Sequence, residues 1–214
     1  MHQEKHRLVT DIALPYFIAL PSAAPPWPGL VVLHEANGIS PQLLRFCQRL
    51  AGEGYGVIAP DLFFRIGGSE SGDFATLMGS LERDLTRADI TGASEHLRRA
   101  GASSVGVTGF CMGGLLTYRT ALADDGFGAA VAFYGAGTSA ELGEPACPTL
   151  LLFGADDPYI PTADIEAVCV RHPETVVYPE ASHGFMRDGS TSYSQAAATD
   201  AWSRMLGFFG DHLV

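Results

Sequence analysis

Three side chains far apart in the chain have the types and the order that nucleophilic catalysis requires. Cys111 stands in Gly109-Phe110-Cys111-Met112-Gly113, between a β-rich run and an apolar helical run. Gly-x-Cys-x-Gly between strand and helix is the pattern of a nucleophile elbow, with sulfur in place of a serine hydroxyl. Such a turn strains its central residue and projects the side chain outward, so the flanking glycines are expected to supply the room. The following helix start favours negative charge on the sulfur, and the Met112 amide is a candidate donor to an oxyanion. Downstream, Asp157 and His183 follow strand-like runs, in the order nucleophile, acid, histidine. His183 would take the thiol proton and Asp157 would orient the imidazole. Asp156 is a rival for that last role.

The remaining candidates point to less. His34-Glu35 lacks a histidine four residues on and leaves a strand, so no metal site is expected. His2, His6, His96, His172 and His212 read as surface or satisfied residues. Cys47, Cys147 and Cys169 have no Cys-x-x-Cys spacing, which argues against a zinc knuckle or a disulfide framework. Cys47 reads as core.

The elements that must position the triad alternate. Leu8–Ile12 and Tyr16–Leu20 read as a hairpin, and residues 21–28 as a loop. Gly29–Leu33 is a buried central strand ending at Glu35 and Ala36, and a helix is expected from Pro41 to Glu53. A strand at Val57–Pro60 leads to Arg65, and Asp73–Ala100 reads as one long or broken helix, with Leu85 and Ala88 on its apolar side and Gly92 as the place for a break. Strands follow at 104–110, 129–134, 149–153 and 175–178, and helices at 162–170 and 194–213. Alternation of this kind predicts an α/β fold: a doubly wound, mostly parallel sheet with the N-terminal hairpin as its antiparallel edge. The chain reads as a single domain, 1–214.

Composition sets outer limits. The 214 residues carry a net charge of −11, with 13 Lys plus Arg against 24 Asp plus Glu. That balance argues against a nucleic-acid partner. No run is long enough for a membrane span. The N-terminus does not resemble a signal peptide, and scattered thiols suit a cytoplasmic setting. A monomer is the favoured oligomeric state.

Gly109-Phe110-Cys111-Met112-Gly113-Gly114, Gly154-Ala155-Asp156-Asp157 and His183-Gly184-Phe185 together resemble the dienelactone hydrolase family over nearly the whole chain. The resemblance implies an α/β-hydrolase fold with a Cys111, His183, Asp157 triad. It implies that Glu35 contacts the resting thiol, that Arg65 and Arg187 bind a substrate carboxylate, and that the Ala36 amide joins Met112 at the oxyanion. The implied substrate is a small lactone or ester, with dienelactone opened to maleylacetate and no cofactor. A broader carboxylesterase or thioesterase acting on uncharged esters is the alternative, and a non-catalytic, redox-sensitive binding protein the third reading. Phe63 and Phe64 make the approach to Arg65 bulkier than is usual in the family, which bears on substrate rather than on the triad.

Overall fold

The computed structural model describes residues 14–213, which fall into two compact units dividing between Gly106 and Val107. The first contains β1 (Tyr16–Ala19), β2 (Trp27–Leu33), α1 (Pro41–Gly52), β3 (Gly56–Pro60), α2 (Phe74–Gly79), α3 (Arg83–Ala100) and the opening residues of β4 (Ala102–Phe110). β3 lies between β1 and β2. It pairs with β2 in parallel, Gly29 opposite Gly56, and with β1 antiparallel, Tyr16 opposite Pro60. The antiparallel partner of Tyr16–Ala19 is thus β3. The first strand of the expected hairpin, Leu8–Ile12, lies outside the described residues.

Local chemistry sets most boundaries. Ser40 caps α1 by accepting from the Leu43 amide at 3.2 Å, Pro41 opens the helix, and Leu43, Cys47 and Leu50 face inward at helical spacing. Cys47 is a core residue, as its setting suggested. β2 starts at Trp27, earlier than its proline-rich surroundings imply, because the Trp27 ring packs over Gly56. A Cβ on Gly56 would lie 1.9 Å from that ring.

The helical stretch expected from 73 to 100 is broken, into two helices, but at 80–82 and not at Gly92. The Ser80 hydroxyl donates to the Leu77 carbonyl at 2.7 Å and ends α2, and Glu82 turns extended, with ψ 129°, before α3 begins. Gly92 is buried within α3. The restart also resets the helical phase. Thr86, Asp89, Ile90, Ala93 and Leu97 face inward, while Leu85 and Ala88, expected on that face, point outward.

The second unit continues β4 into α4 (Met112–Leu122), followed by β5 (Ala130–Phe133), β6 (Thr149–Gly154), α5 (Thr162–Arg171), β7 (Val176–Tyr178) and α6 (Gln195–His212). Its strands pair in parallel in the order β4, β5, β6, β7, with Val107 opposite Ala130, Ala130 opposite Thr149, and Leu152 opposite Val176. β4, β5 and β6 are largely apolar and buried, as expected for a parallel sheet covered on both faces. Parallel pairing has one functional consequence. All four carboxyl ends lie along one edge, where open α/β sheets hold their sites.

Candidate active site

The chain crosses from β4 into α4 at Cys111, with φ 55° and ψ −116°. A side chain in that region costs about 1–3 kcal/mol and persists only where its surroundings enforce it. Here the Cys111 amide donates to the Phe133 carbonyl at 3.0 Å, and the Cys111 carbonyl accepts from Leu115 at 3.1 Å. Gly114 permits the close approach: a Cβ there would lie 2.2 Å from the same Phe133 oxygen. The elbow therefore holds Cys111 half-buried, with its sulfur presented. Met112 is the first residue of α4, so its amide has no acceptor within the helix.

The loops after β6 and β7 are built as one piece. Gly154 ends β6 so close to the next loop that a Cβ would lie 2.2 Å from the Ala181 oxygen. The Ala155 amide donates to Tyr178 at 2.9 Å and the Asp156 amide to Ala181 at 3.0 Å. The neighbouring acids have separate tasks. The exposed Asp156 uses its backbone, whereas the buried Asp157 turns its carboxylate inward. Asp157 Oδ1 accepts from the amides of Tyr159 at 2.8 Å and Ile160 at 3.2 Å. Asp157 Oδ2 accepts from His183 Nδ1 at 2.7 Å.

The second ring nitrogen of His183, Nε2, is then the one left to serve the cysteine. Burial pulls the His183 pKa down, but hydrogen bonds to Asp157 and Cys111, with the charges behind them, outweigh it and hold the value at about 9. Asp157 thus fixes the tautomer as well as the charge. Beyond the histidine, the Arg187 amide donates to the Gly184 carbonyl at 2.8 Å. Its guanidinium folds back to within 3.2 Å of where a Gly184 Cβ would stand, and so lies beside the His183 loop.

Glu35, Ala36 and Arg65 belong to the first unit. Glu35 is buried just past β2, where its carbonyl accepts from Gly38 at 3.0 Å and closes a turn with Ala36 inside it. His34 has a structural task there. Its Nε2 accepts from the Leu62 amide at 3.0 Å and its Nδ1 donates to the Glu35 carbonyl at 2.7 Å, which requires the neutral ring that burial also favours. Both nitrogens being used, His34 joins the loops after β2 and β3. Among the described residues no three His, Cys, Asp or Glu side chains are grouped to hold a metal.

Arg65 carries a partner the sequence did not suggest. Its guanidinium grips Asp89 of α3 through both terminal nitrogens, Nη2 to Oδ1 at 2.8 Å and Nη1 to Oδ2, and lies over the Phe64 ring at 4.4 Å. Asp89 is almost wholly buried. A signal was present: Asp89, Ala93 and Leu97 recur every fourth residue, which puts an acid on the inward face of α3. A second buried polar link joins Tyr118 to His172, with the hydroxyl meeting Nε2 at 2.8 Å and also accepting from the Gly143 amide at 3.0 Å. His172 is satisfied there.

Residues 14–213 match the sequence profile of the dienelactone hydrolase family. A Salmonella typhimurium protein provisionally named carboxymethylenebutenolidase is 32% identical over 224 aligned positions, covering 93% of this chain and 83% of the relative. A Klebsiella pneumoniae crystal structure, provisionally named as a dienelactone hydrolase, superposes with a TM-score of 0.82 at 31% identity and 98% coverage of each chain. A dienelactone hydrolase-like promiscuous phosphotriesterase from metagenomic libraries shares the fold, with a TM-score of 0.77 at 23% identity over 94% of this chain and 93% of its own.

Proposed function

The chain belongs to the dienelactone hydrolase family, has its α/β-hydrolase fold and is a carboxylic ester hydrolase; we propose that it works through Cys111, His183 and Asp157 on a carboxylated enol-lactone. The observation that carries this reading is the paired engagement of His183, with Asp157 on Nδ1 and Cys111 as its other hydrogen-bond partner. The Cys111 thiolate attacks the carbonyl carbon and a C–S bond forms, while the carbonyl electron pair moves to oxygen near the Met112 amide. His183 passes its proton to the departing oxygen, the C–O bond breaks and a thioester results. Water then gives a proton to His183 and attacks the thioester. The C–S bond breaks, leaving the carboxylic acid and the thiolate.

In this reading Arg187 and Arg65 take the substrate carboxylate, Glu35 attends the resting thiol, and the Ala36 amide assists at the oxyanion, as the family resemblance implies. Dienelactone opening to maleylacetate, in the cytoplasmic breakdown of chloroaromatic compounds, is the preferred assignment. No helix among the described residues is long and apolar enough to cross a membrane.

One observation favours a second reading, a broader esterase or thioesterase acting on uncharged esters. The Arg65 fork already holds the buried Asp89 carboxylate, so much of its charge is offset. Steady-state rates on dienelactone and on a neutral activated ester, for wild type, Arg65→Ala and Arg187→Ala, separate the two. Preference for dienelactone that falls at least about tenfold in either variant supports carboxylate recognition. Neutral-ester turnover without such a preference establishes the broader esterase.

The His183 pKa sets a pH dependence. Leaving-group departure needs the His183 proton, so kcat/KM is expected to hold below about 9 and fall as the pH rises through that value. Stability should follow the same direction. A histidine pKa raised on folding contributes stability that is fully present below its unfolded value of about 6.5 and lost as the pH rises through about 9. Initial-rate profiles and denaturant midpoints between neutral and strongly alkaline pH test both.

A further inference from the structure

The His183 imidazole has two tyrosine neighbours of opposite character. The Tyr134 ring stands 5.0 Å away at an interplanar angle of 61°, and the Tyr159 ring 5.0 Å away at 80°. Tyr134 is 1% exposed, and its ring also meets Phe110, Phe133 and Phe185. Its backbone, at φ 39°, is held in the left-handed region while its amide donates to Leu152 at 2.8 Å. Tyr134 is thus built into the interior. Tyr159 is 72% exposed.

That exposure does not come from a loose loop. The Tyr159 amide is fixed by Asp157 Oδ1, the next residue donates to the same oxygen, and Ile160 is buried beside it. One carboxylate therefore sets both the imidazole and the backbone that carries the ring. The result is an anchored aromatic surface, open to water, beside the group that moves protons.

During acylation the His183 proton passes to the leaving-group oxygen, which must come within about 3 Å of Nε2. The rest of the leaving group extends from that oxygen and meets whatever borders the imidazole. Of the two tyrosines, Tyr159 has surface to offer. We infer that Tyr159 is the wall of the leaving-group site, and that it favours esters and lactones whose leaving group is planar and unsaturated, aryl or enol, over those of small saturated alcohols. The inference rests on the triad reading. The bond changes are those of acylation: C–S forms, C–O breaks, and the His183 proton goes to the phenol or enol oxygen.

A selectivity of this origin has a kinetic mark. With an open-chain ester the leaving group departs once the thioester has formed, whereas a lactone's stays tethered to the acyl chain. With open-chain esters, then, Tyr159 acts on acylation and not on the attack of water. Phenyl acetate and methyl acetate, which give the same acetyl-enzyme, are the probes. For Tyr159→Ala, the ratio of kcat/KM for the phenyl over the methyl ester should fall about tenfold, chiefly through KM, with acylation slowed more than deacylation. Tyr159→Phe, which keeps the ring, should hold the ratio within about twofold. An unchanged ratio in Tyr159→Ala overturns the inference. So does an equal slowing of both esters and of deacylation, the mark of a residue that merely props His183. Failure of the triad reading looks different: wild type would then form no acetyl adduct on Cys111 by mass spectrometry.

Discussion

Asp157→Asn is expected to lower kcat by about 10³–10⁴-fold, while Asp156→Asn stays within about twofold of wild type. The two side chains are adjacent in sequence and differ in direction. Asp157 accepts from two backbone amides with one oxygen and from His183 Nδ1 with the other. An asparagine cannot satisfy all of these. With its amide nitrogen toward His183, Nδ1 must become the acceptor and Nε2 carries the proton when the ring is neutral, so the ring cannot act as base toward Cys111. With its amide oxygen toward His183, the nitrogen faces the Tyr159 and Ile160 amides, donor against donor. The variant should also move the alkaline limb of the pH profile downward from about 9, because Asp157 supplies the largest of the effects that raise the His183 pKa. Asp156 is exposed and contributes its amide to Ala181, which a side-chain change leaves in place. Initial rates and pH profiles of both variants check this, and an Asp157→Asn protein that turns over near the wild-type rate would remove Asp157 from the triad.

The larger effect belongs to the sulfur. Cys111→Ala should reduce ester turnover by at least about 10⁴-fold and leave the melting temperature within a few degrees of wild type. The fold should tolerate it. Alanine keeps the Cβ, the residue is half-buried, and the conformation at φ 55° is held by the Phe133 and Leu115 backbone bonds, neither of which uses the sulfur. Turnover near wild type in a folded Cys111→Ala protein would end the cysteine mechanism. It would leave an ester hydrolase that works without the Cys111 sulfur, and would set aside the non-catalytic reading too.

Several features were legible because they are written in short stretches of chain. The glycine pattern around Cys111, the apolar runs of β2, β4, β5 and β6, and the Ser40-Pro41 start of α1 each depend on neighbours within a few residues. Alternating strands and helices then admit few topologies, and parallel pairing brings the ends of β4, β6 and β7 to one edge. That the residues following β4, β6 and β7 share that edge follows from the pairing.

Other features depend on partners distant in sequence, and local pattern records them faintly, as in the spacing of Asp89 to Ala93 and Leu97, or not at all. That Asp157 and not Asp156 faces His183 depends on how the loops after β6 and β7 lock together at Gly154 and Ala181. That α3 turns Asp89 inward depends on a helix break at 80–82, which sets the phase of every later residue. Arg65 then meets a buried acid 24 positions away, a pairing with no expression in its own loop. His34 is ambiguous by sequence, and only the fold supplies the backbone partners that both of its nitrogens engage. Periodicity specifies which residues form an element and roughly which face is apolar. The direction of a single polar side chain is set by the hydrogen-bond partners that folding places beside it, because a buried donor or acceptor left unpaired costs about 1–3 kcal/mol.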